Sequence, residues 1–272
     1  MLVVAAIVRR EFQVQRRYPL SMINLVLLTP LYEMALPALL LGSAFLVNGS
    51  AVGLATMAGT DDLAGWLGLG LLAASLLVGA VWGVSGTLKS DRDTGVLEHS
   101  FATPVPRESF VVGAVLTGTL FTLVASGVLL AFAIGFLGAS YRLTGVLLSV
   151  PVVLVMLLGN CGFGYLTGAA TLRLRRPDSL VDPLTTLASV FSGITFPLTV
   201  LPPLIRPLTY VLPTTWGLDI IRHLSLGTTP LLPLPYEVVG LAVTSTAFLL
   251  VGRWAFVRAE RQVTTAGTLT QF

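Results

Sequence analysis

The stretch from Ser192 to Arg222 reads SGITFPLTVLPPLIRPLTYVLPTTWGLDIIR, apolar enough for a membrane yet interrupted by Pro197, Pro202, Pro203, Pro207 and Pro213. Each proline removes a backbone donor and clashes with the preceding turn, so no straight helix runs through it. Several short helical pieces are predicted instead. Broken backbone persists at membrane depth only where protein or a water-filled cavity covers it. A simple anchor has no need of such a segment, which points to a chain that moves something across a bilayer.

The rest of the chain supplies the membrane. With 54% hydrophobic and 11% charged residues and a mean hydropathy of +0.88, these 272 residues exclude a soluble domain. Apolar runs of about the 20 residues a crossing needs lie at Leu20 to Val47, Leu63 to Leu88, Phe110 to Gly138, Thr144 to Leu172, Leu184 to Leu201 and Tyr236 to Val257. The expectation is an all-α integral membrane protein with six transmembrane helices over residues 20–257, preceded by an amphipathic segment, 1–19, and followed by a tail, 258–272. The fifth run is the weakest, because Pro197 falls near its end. The first is too long for a cleaved signal peptide and follows an arginine-rich segment. The single Cys161 excludes an internal disulfide. Fifteen of the sixteen basic residues are arginine, a bias that suits a GC-rich prokaryotic source.

Thirteen of the sixteen basic residues fall before the first run, between the second and third, between the fourth and fifth, or after the sixth. The alternate loops hold only Arg142, Arg206 and Arg222. Positive residues mark the cytoplasmic side, so both termini are expected there. In the amphipathic segment, Val3, Val4, Ile7, Val8, Phe12 and Val14 share one helical side, and Arg9, Arg10, Gln13, Arg16 and Arg17 the other. That pattern predicts an interfacial helix on the cytoplasmic surface. Glu11 falls inside its apolar face, where it meets a protein partner, pairs with an arginine, or snorkels to water without a role.

Residues Lys89 to Ser109, KSDRDTGVLEHSFATPVPRES, offer an N-cap at Asp93 or Thr94, a short helix to about Ala102 and a stop at Pro104 and Pro106. Val96, Leu97, Phe101 and Val105 are apolar in a loop that should be wet, among Asp93, Glu98, Arg107 and Glu108. Two readings fit: a docking surface for a soluble protein, or apolar residues folded back on the bilayer. Within the runs, Asn24, Glu33 and Asn160 are the polar candidates for a pathway, with Phe196 near an outer gate. The two asparagines suit an interhelical hydrogen bond equally well. Gly159, Gly162, Gly164 and Gly168 suit close helix contact. Arg206, Asp219 and Arg222 fit either gate contacts or a solvated surface.

Taken together these motifs resemble a known family. Asp93-Thr94-Gly95-Val96-Leu97-Glu98 followed by Thr103-Pro104-Val105-Pro106-Arg107 is similar to the acidic-x-Gly-Thr-Leu-Glu and Thr-Pro-x-x-Arg signature of type-2 ABC transporter permeases. Ser192-Gly193, Phe196-Pro197, Leu201-Pro202, Pro207-Leu208, Tyr210, Pro213, Trp216 and Asp219 resemble the same family's carboxy-terminal signature. The Arg9-Arg10-Glu11 helix and the Arg17-Tyr18-Pro19 entry into the first run also match. Val96 departs from the usual threonine, and prolines bracket Val105. The resemblance implies a half-transporter of the type V exporter fold in the cell membrane, paired with a second permease, identical or homologous. Two ABC ATP-binding subunits would hold ATP and magnesium. It further implies a coupling helix from Thr94 to Ala102, with Asp93, Gly95, Leu97, Glu98, Phe101, Thr103, Pro104 and Arg107 facing the ATPase. Residues 202–226 would be re-entrant helices capping the path, with Phe196, Pro197 and Tyr210 at the gate.

The chain carries no ATP site of its own. A phosphate-binding loop needs Gly-x-x-x-x-Gly-Lys-Ser/Thr, and Leu88 stands where the glycine must precede Lys89, the only lysine. His99 and His223 lie too far apart for a zinc-protease helix. Nor is there a Gly-x-Ser-x-Gly elbow. No nucleic-acid partner is expected from scattered basic residues. The rival class is an ion-gradient carrier using Glu33, flanked by Pro30 and Pro37; such carriers ordinarily bury more ionisable groups. The substrate class is left among amphipathic drugs or antibiotics, lipids or glycolipids, and small peptides.

Overall fold

The computed structural model describes residues 9, 13, 16–24, 28, 46, 47, 50–95, 107–174 and 177–266. Its order is α1 (Pro19–Ile23), a two-residue hairpin of β1 (Leu46–Val47) and β2 (Ser50–Ala51), α2 (Val52–Ala58), α3 (Leu63–Asp93), α4 (Arg107–Leu137), α5 (Leu143–Arg173), α6 (Asp178–Phe191), a 3-10 turn (Leu198–Val200), α7 (Arg206–Thr209), α8 (Pro213–Leu226) and α9 (Leu234–Ala266). In the hairpin Leu46 pairs with Ala51 and Val47 with Ser50. Among the described residues α3, α4, α5 and α9 are long and apolar enough to cross a membrane. At 1.5 Å per residue, helices of 31 to 33 residues reach roughly 46 to 50 Å, longer than the hydrocarbon core.

α3 is the centre. Ala73, Leu76, Ala80, Val81 and Val84 along it are fully or almost fully buried, and it packs on α4, α5, α6 and α8. Small residues let the backbones close. A side chain at Gly164 of α5 would meet the Ala80 carbonyl of α3 at 2.5 Å. One at Gly162 would strike the α9 backbone at Phe248 and Leu249. The glycines expected to permit close contact therefore sit at two helix crossings. Tyr165 and Phe256 meet edge to face beside the second, at 5.6 Å between rings.

Several boundaries differ from expectation. The fifth run, expected as a span over Leu184 to Leu201, is instead the 14-residue α6, which begins earlier and stops at Phe191. Its end is set by Gly193 in a left-handed conformation, φ +71°, and by Pro197. Its start was hidden by Pro183, which the helix carries in its second turn behind Asp178, an acid suited to a helix N-terminus. Thr94 is no N-cap. α3 runs on through Lys89 to Asp93, Thr94 caps its C-terminus, and Gly95 at φ +71° ends it. No helix starts at Thr94, so the expected Thr94 to Ala102 helix is corrected at its origin; residues 96–106 lie outside the described residues. α4 starts at Arg107 rather than Phe110, and α9 continues through Ala266, so most of the expected tail belongs to the last helix. Of the first expected span, the described parts are α1, Asn24, Leu28 and the β1 strand.

Candidate functional site

The proline-broken segment folds back on the ends of the long helices. Pro213 opens α8 at the one turn where a missing N–H costs nothing, and Gly227 closes it at φ +74°. Between them Pro213 to Leu218, Ile220, Ile221, Arg222 and Ser225 are buried. Thr214 Oγ1 donates to Asn160 Oδ1 at 2.9 Å, joining α8 to the middle of α5, where Asn160 is fully buried. Trp216 stacks on Tyr210 with ring centres 5.2 Å apart and donates its indole N–H to the Tyr210 carbonyl at 2.9 Å. The short α7 is thereby pinned to α8.

Arg222 ties this segment to the rest. Its guanidinium donates to the carbonyls of Gly193 at 2.7 Å, Ile194 at 2.6 Å and Trp66 at 3.1 Å, and stacks 3.5 Å from the Trp66 ring. A single cation thus satisfies carbonyls just past the end of α6 and one in the first turn of α3. Burial presses the proton affinity of Arg222 down to about 9, while Asp219 and Tyr141 hold it up; the group stays charged at neutral pH. Burial raises the Tyr141 phenol well above its ordinary value, helped by Asp62 and opposed by Arg222. The neutral hydroxyl donates to the Gly65 carbonyl at 3.3 Å. Asp62 caps α3 through the Gly65 N–H at 2.6 Å and also receives the Ser140 N–H at 2.7 Å.

Two carboxyl groups complete this end. Asp219 accepts from the Leu231 N–H at 2.8 Å, and Glu237, fully buried, accepts from the Leu232 N–H at 3.0 Å. Glu237 went unnoticed in the sequence because an acid in a helix's first turn is ordinary; only the tertiary fold shows it enclosed. The cleft lined by Trp66, Pro197, Leu198, Thr215, Asp219 and Arg222 has a volume of about 30 Å³, room for one or two waters. It is a packing detail, not a substrate chamber.

Of the other expected site residues, Phe196 and Pro197 are half-buried in the break after α6, and Tyr210 is half-buried against Trp216. Asn24 is exposed and distant from Asn160 in the chain, with no hydrogen bond joining the two. Arg9 is helical and exposed, as are Gln13, Arg16 and Arg17. Asp93 is the last residue of α3 and exposed, Gly95 follows it, and Arg107 opens α4. Arg10, Glu11, Glu33, Leu97, Glu98, Phe101, Thr103 and Pro104 lie outside the described residues. Among the described residues no cluster of His, Cys, Asp and Glu is arranged to hold a metal.

The family model of the ABC-2 type transporter matches residues 3–226, from the amino-terminal segment to the last residue of α8. The chain belongs to the ABC-2 type transporter family. Comparison with curated proteins yields no match. An ABC-2 permease is a transmembrane subunit rather than a catalytic chain, and it normally works with ATP-binding subunits. This ABC-2 chain is accordingly a multi-pass membrane permease. Lys89 lies inside α3 and is paired with Asp178, which fits a permease without a phosphate loop.

Proposed function

We propose that this permease pairs with a second copy or a homologous chain to form the path of an exporter for an amphipathic substrate, a drug or antibiotic, a lipid or a glycolipid. Two separate ATP-binding subunits drive it, holding ATP and magnesium. The observation that carries the reading is the broken segment. Residues 192–226 form short helices packed on α3 and α5 through Arg222 and Asn160. In this reading these helices cap the path, and the packing supports it because unwound backbone needs protein cover within a membrane. The distribution of basic residues supports this end being outside and the Lys89 end cytoplasmic. On the same reading the amino-terminal helix rests on the cytoplasmic surface, where Arg9, Arg16 and Arg17 are exposed.

In this reading the loop that follows Gly95 meets the ATPase. Leu97→Asp places a carboxylate in an apolar contact and Glu98→Arg reverses a charge. Each is expected to weaken docking by on the order of 1 to 3 kcal/mol while sparing the fold. Co-purification in mild detergent measures this, and normal recovery of ATP-binding subunits with both variants sinks the coupling assignment. Vesicles holding the chain alone are expected to move nothing under a proton or sodium gradient. Gradient-driven uptake abolished by Glu33→Gln would replace the ATP-driven reading with a secondary carrier.

A further inference from the structure

At the end of the molecule opposite Arg222, two cations one helical turn apart grip both sides of a single turn. Lys89 and Arg92 lie three residues apart on α3, hence on one face. Lys89 Nζ forms an ion pair with Asp178 Oδ2, the first residue of α6. Arg92 NH1 donates to the Leu174 carbonyl at 3.0 Å and the Thr171 carbonyl at 3.3 Å, at the C-terminus of α5. The last carbonyls of a helix lack partners within it and carry partial negative charge, so a guanidinium there satisfies and stabilises them. Asp178 sits at the complementary, positive end of α6. The clamp thus holds the end of α5 with one hand and the start of α6 with the other, two to five residues before Thr94 caps α3.

α3 and α6 are joined again along their length and at their far ends. Val181 and Ala188 of α6 pack against Leu77 and Val81 of α3, all buried. Beyond Phe191, Arg222 bonds Gly193 and Ile194 just past α6 and Trp66 at the start of α3. α3 and α6 are therefore pinned by charge at both ends and by apolar packing between. Over the three helical turns of α3 beyond Val81, Val84 and Leu88 pack with Tyr165, Ala169 and Leu172 of α5, and the Lys89–Asp178 ion pair reaches on to the first residue of α6.

We infer that Lys89 and Asp178 are positioning residues that couple α3 to α6, so that ATPase engagement of the loop after Gly95 reaches the broken segment at Ser192 to Pro197. The inference rests on the assignment of that loop to ATPase docking, but it concerns transmission and not docking itself. Coupling between distant sites is carried by packed side chains, ion pairs and rigid elements that both sites bias, and an ion pair set between two helix ends is one such link. An exposed ion pair adds little stability; Lys89 and Asp178 are 37% and 40% exposed. The expected phenotype is consequently lost transmission in a folded protein.

The test uses the permease purified with its ATP-binding subunits, with hydrogen exchange at residues 192–197 measured with and without ATP and orthovanadate. Lys89→Glu and Asp178→Lys are each expected to reduce the nucleotide-induced change at least twofold. Lys89→Arg and the double exchange Lys89→Glu with Asp178→Lys are expected to restore it. The amount of ATP-binding subunit recovered with each variant is read from the same samples, so a failed docking assignment is told apart from failed transmission. Full nucleotide response in both single variants, no rescue by the double exchange, loss of the ATP-binding subunit in the single variants, or absence of any response at 192–197 in the unsubstituted complex each overturns the inference.

Discussion

Arg222 carries a positive charge into the interior, and what makes this tolerable is three carbonyl acceptors, two of them past the end of α6, together with the Trp66 ring on which it stacks. Gly193 and Ile194 lie past the end of α6, and Trp66 is in the first turn of α3. Arg222→Met keeps much of the side-chain volume but strips these acceptors of their donor. Leaving the Gly193 and Ile194 carbonyls unpaired costs about 1 to 3 kcal/mol each, so the variant is expected to lose on the order of 2 kcal/mol or more. A lower midpoint of thermal unfolding in detergent checks this. Arg222→Lys is expected to recover part of the loss, because an ammonium has three donors but lacks the planar fork that spans separate carbonyls. Equal stability of the Met variant and the parent would mean that the carbonyls find other donors. Asn160 belongs to the same scale: its bond to Thr214 is interhelical, one of the two readings its place in an apolar run allowed.

At the scale of elements, the crossing of α5 and α9 depends on Gly162 and Gly252 facing one another. A side chain at Gly252 would strike the Gly162 carbonyl, and one at Gly162 would strike the α9 backbone. Backbone cannot yield as a flexible side chain does. Gly162→Val is therefore expected to part the two helices, costing at least the roughly 1 to 3 kcal/mol typical of overpacking. Gly127→Val on α4, where nothing lies within 4 Å of the added carbon, is the control and is expected to fold normally. Comparing detergent-extracted yield and melting of the two variants decides it. Helices of this kind were legible in the sequence where an apolar run ended in charge: α5 begins and ends within a residue of its expected bounds, between Arg142 and Arg173. α6 was not, because Asp182 and Pro183 read locally as loop, whereas packing of Val181 and Ala188 on α3 holds them helical. Thr94 misled for a related reason. Threonine suits an N-cap, and only Gly95 beside it carried the signal of a C-terminus. The site was less legible than the helices. The carbonyls that hold Arg222 lie 28 and 29 residues before it, a juxtaposition that no local pattern contains.

At the scale of the whole molecule, the fold sorts charge by end. Arg142, Arg206 and Arg222 gather where the broken segment packs, with the turn between α4 and α5 beside them. Lys89, Arg92 and Arg173 gather at the other end, where α3, α5 and α6 meet. Because a bilayer bars a hydrophilic reagent, this separation makes a prediction about orientation that needs neither substrate nor ATPase. Ser140 lies exposed at the first end and Ser179 exposed at the second. In a Cys161→Ser background, Ser140→Cys is expected to react with an impermeant thiol reagent in intact cells, and Ser179→Cys only after the membrane is opened. The reverse result would turn the permease over, placing the broken segment in the cytoplasm and removing it as an outer cap. Labelling of both positions in sealed cells would break the membrane assignment of α5 itself, since that one helix, Leu143–Arg173, is what separates them.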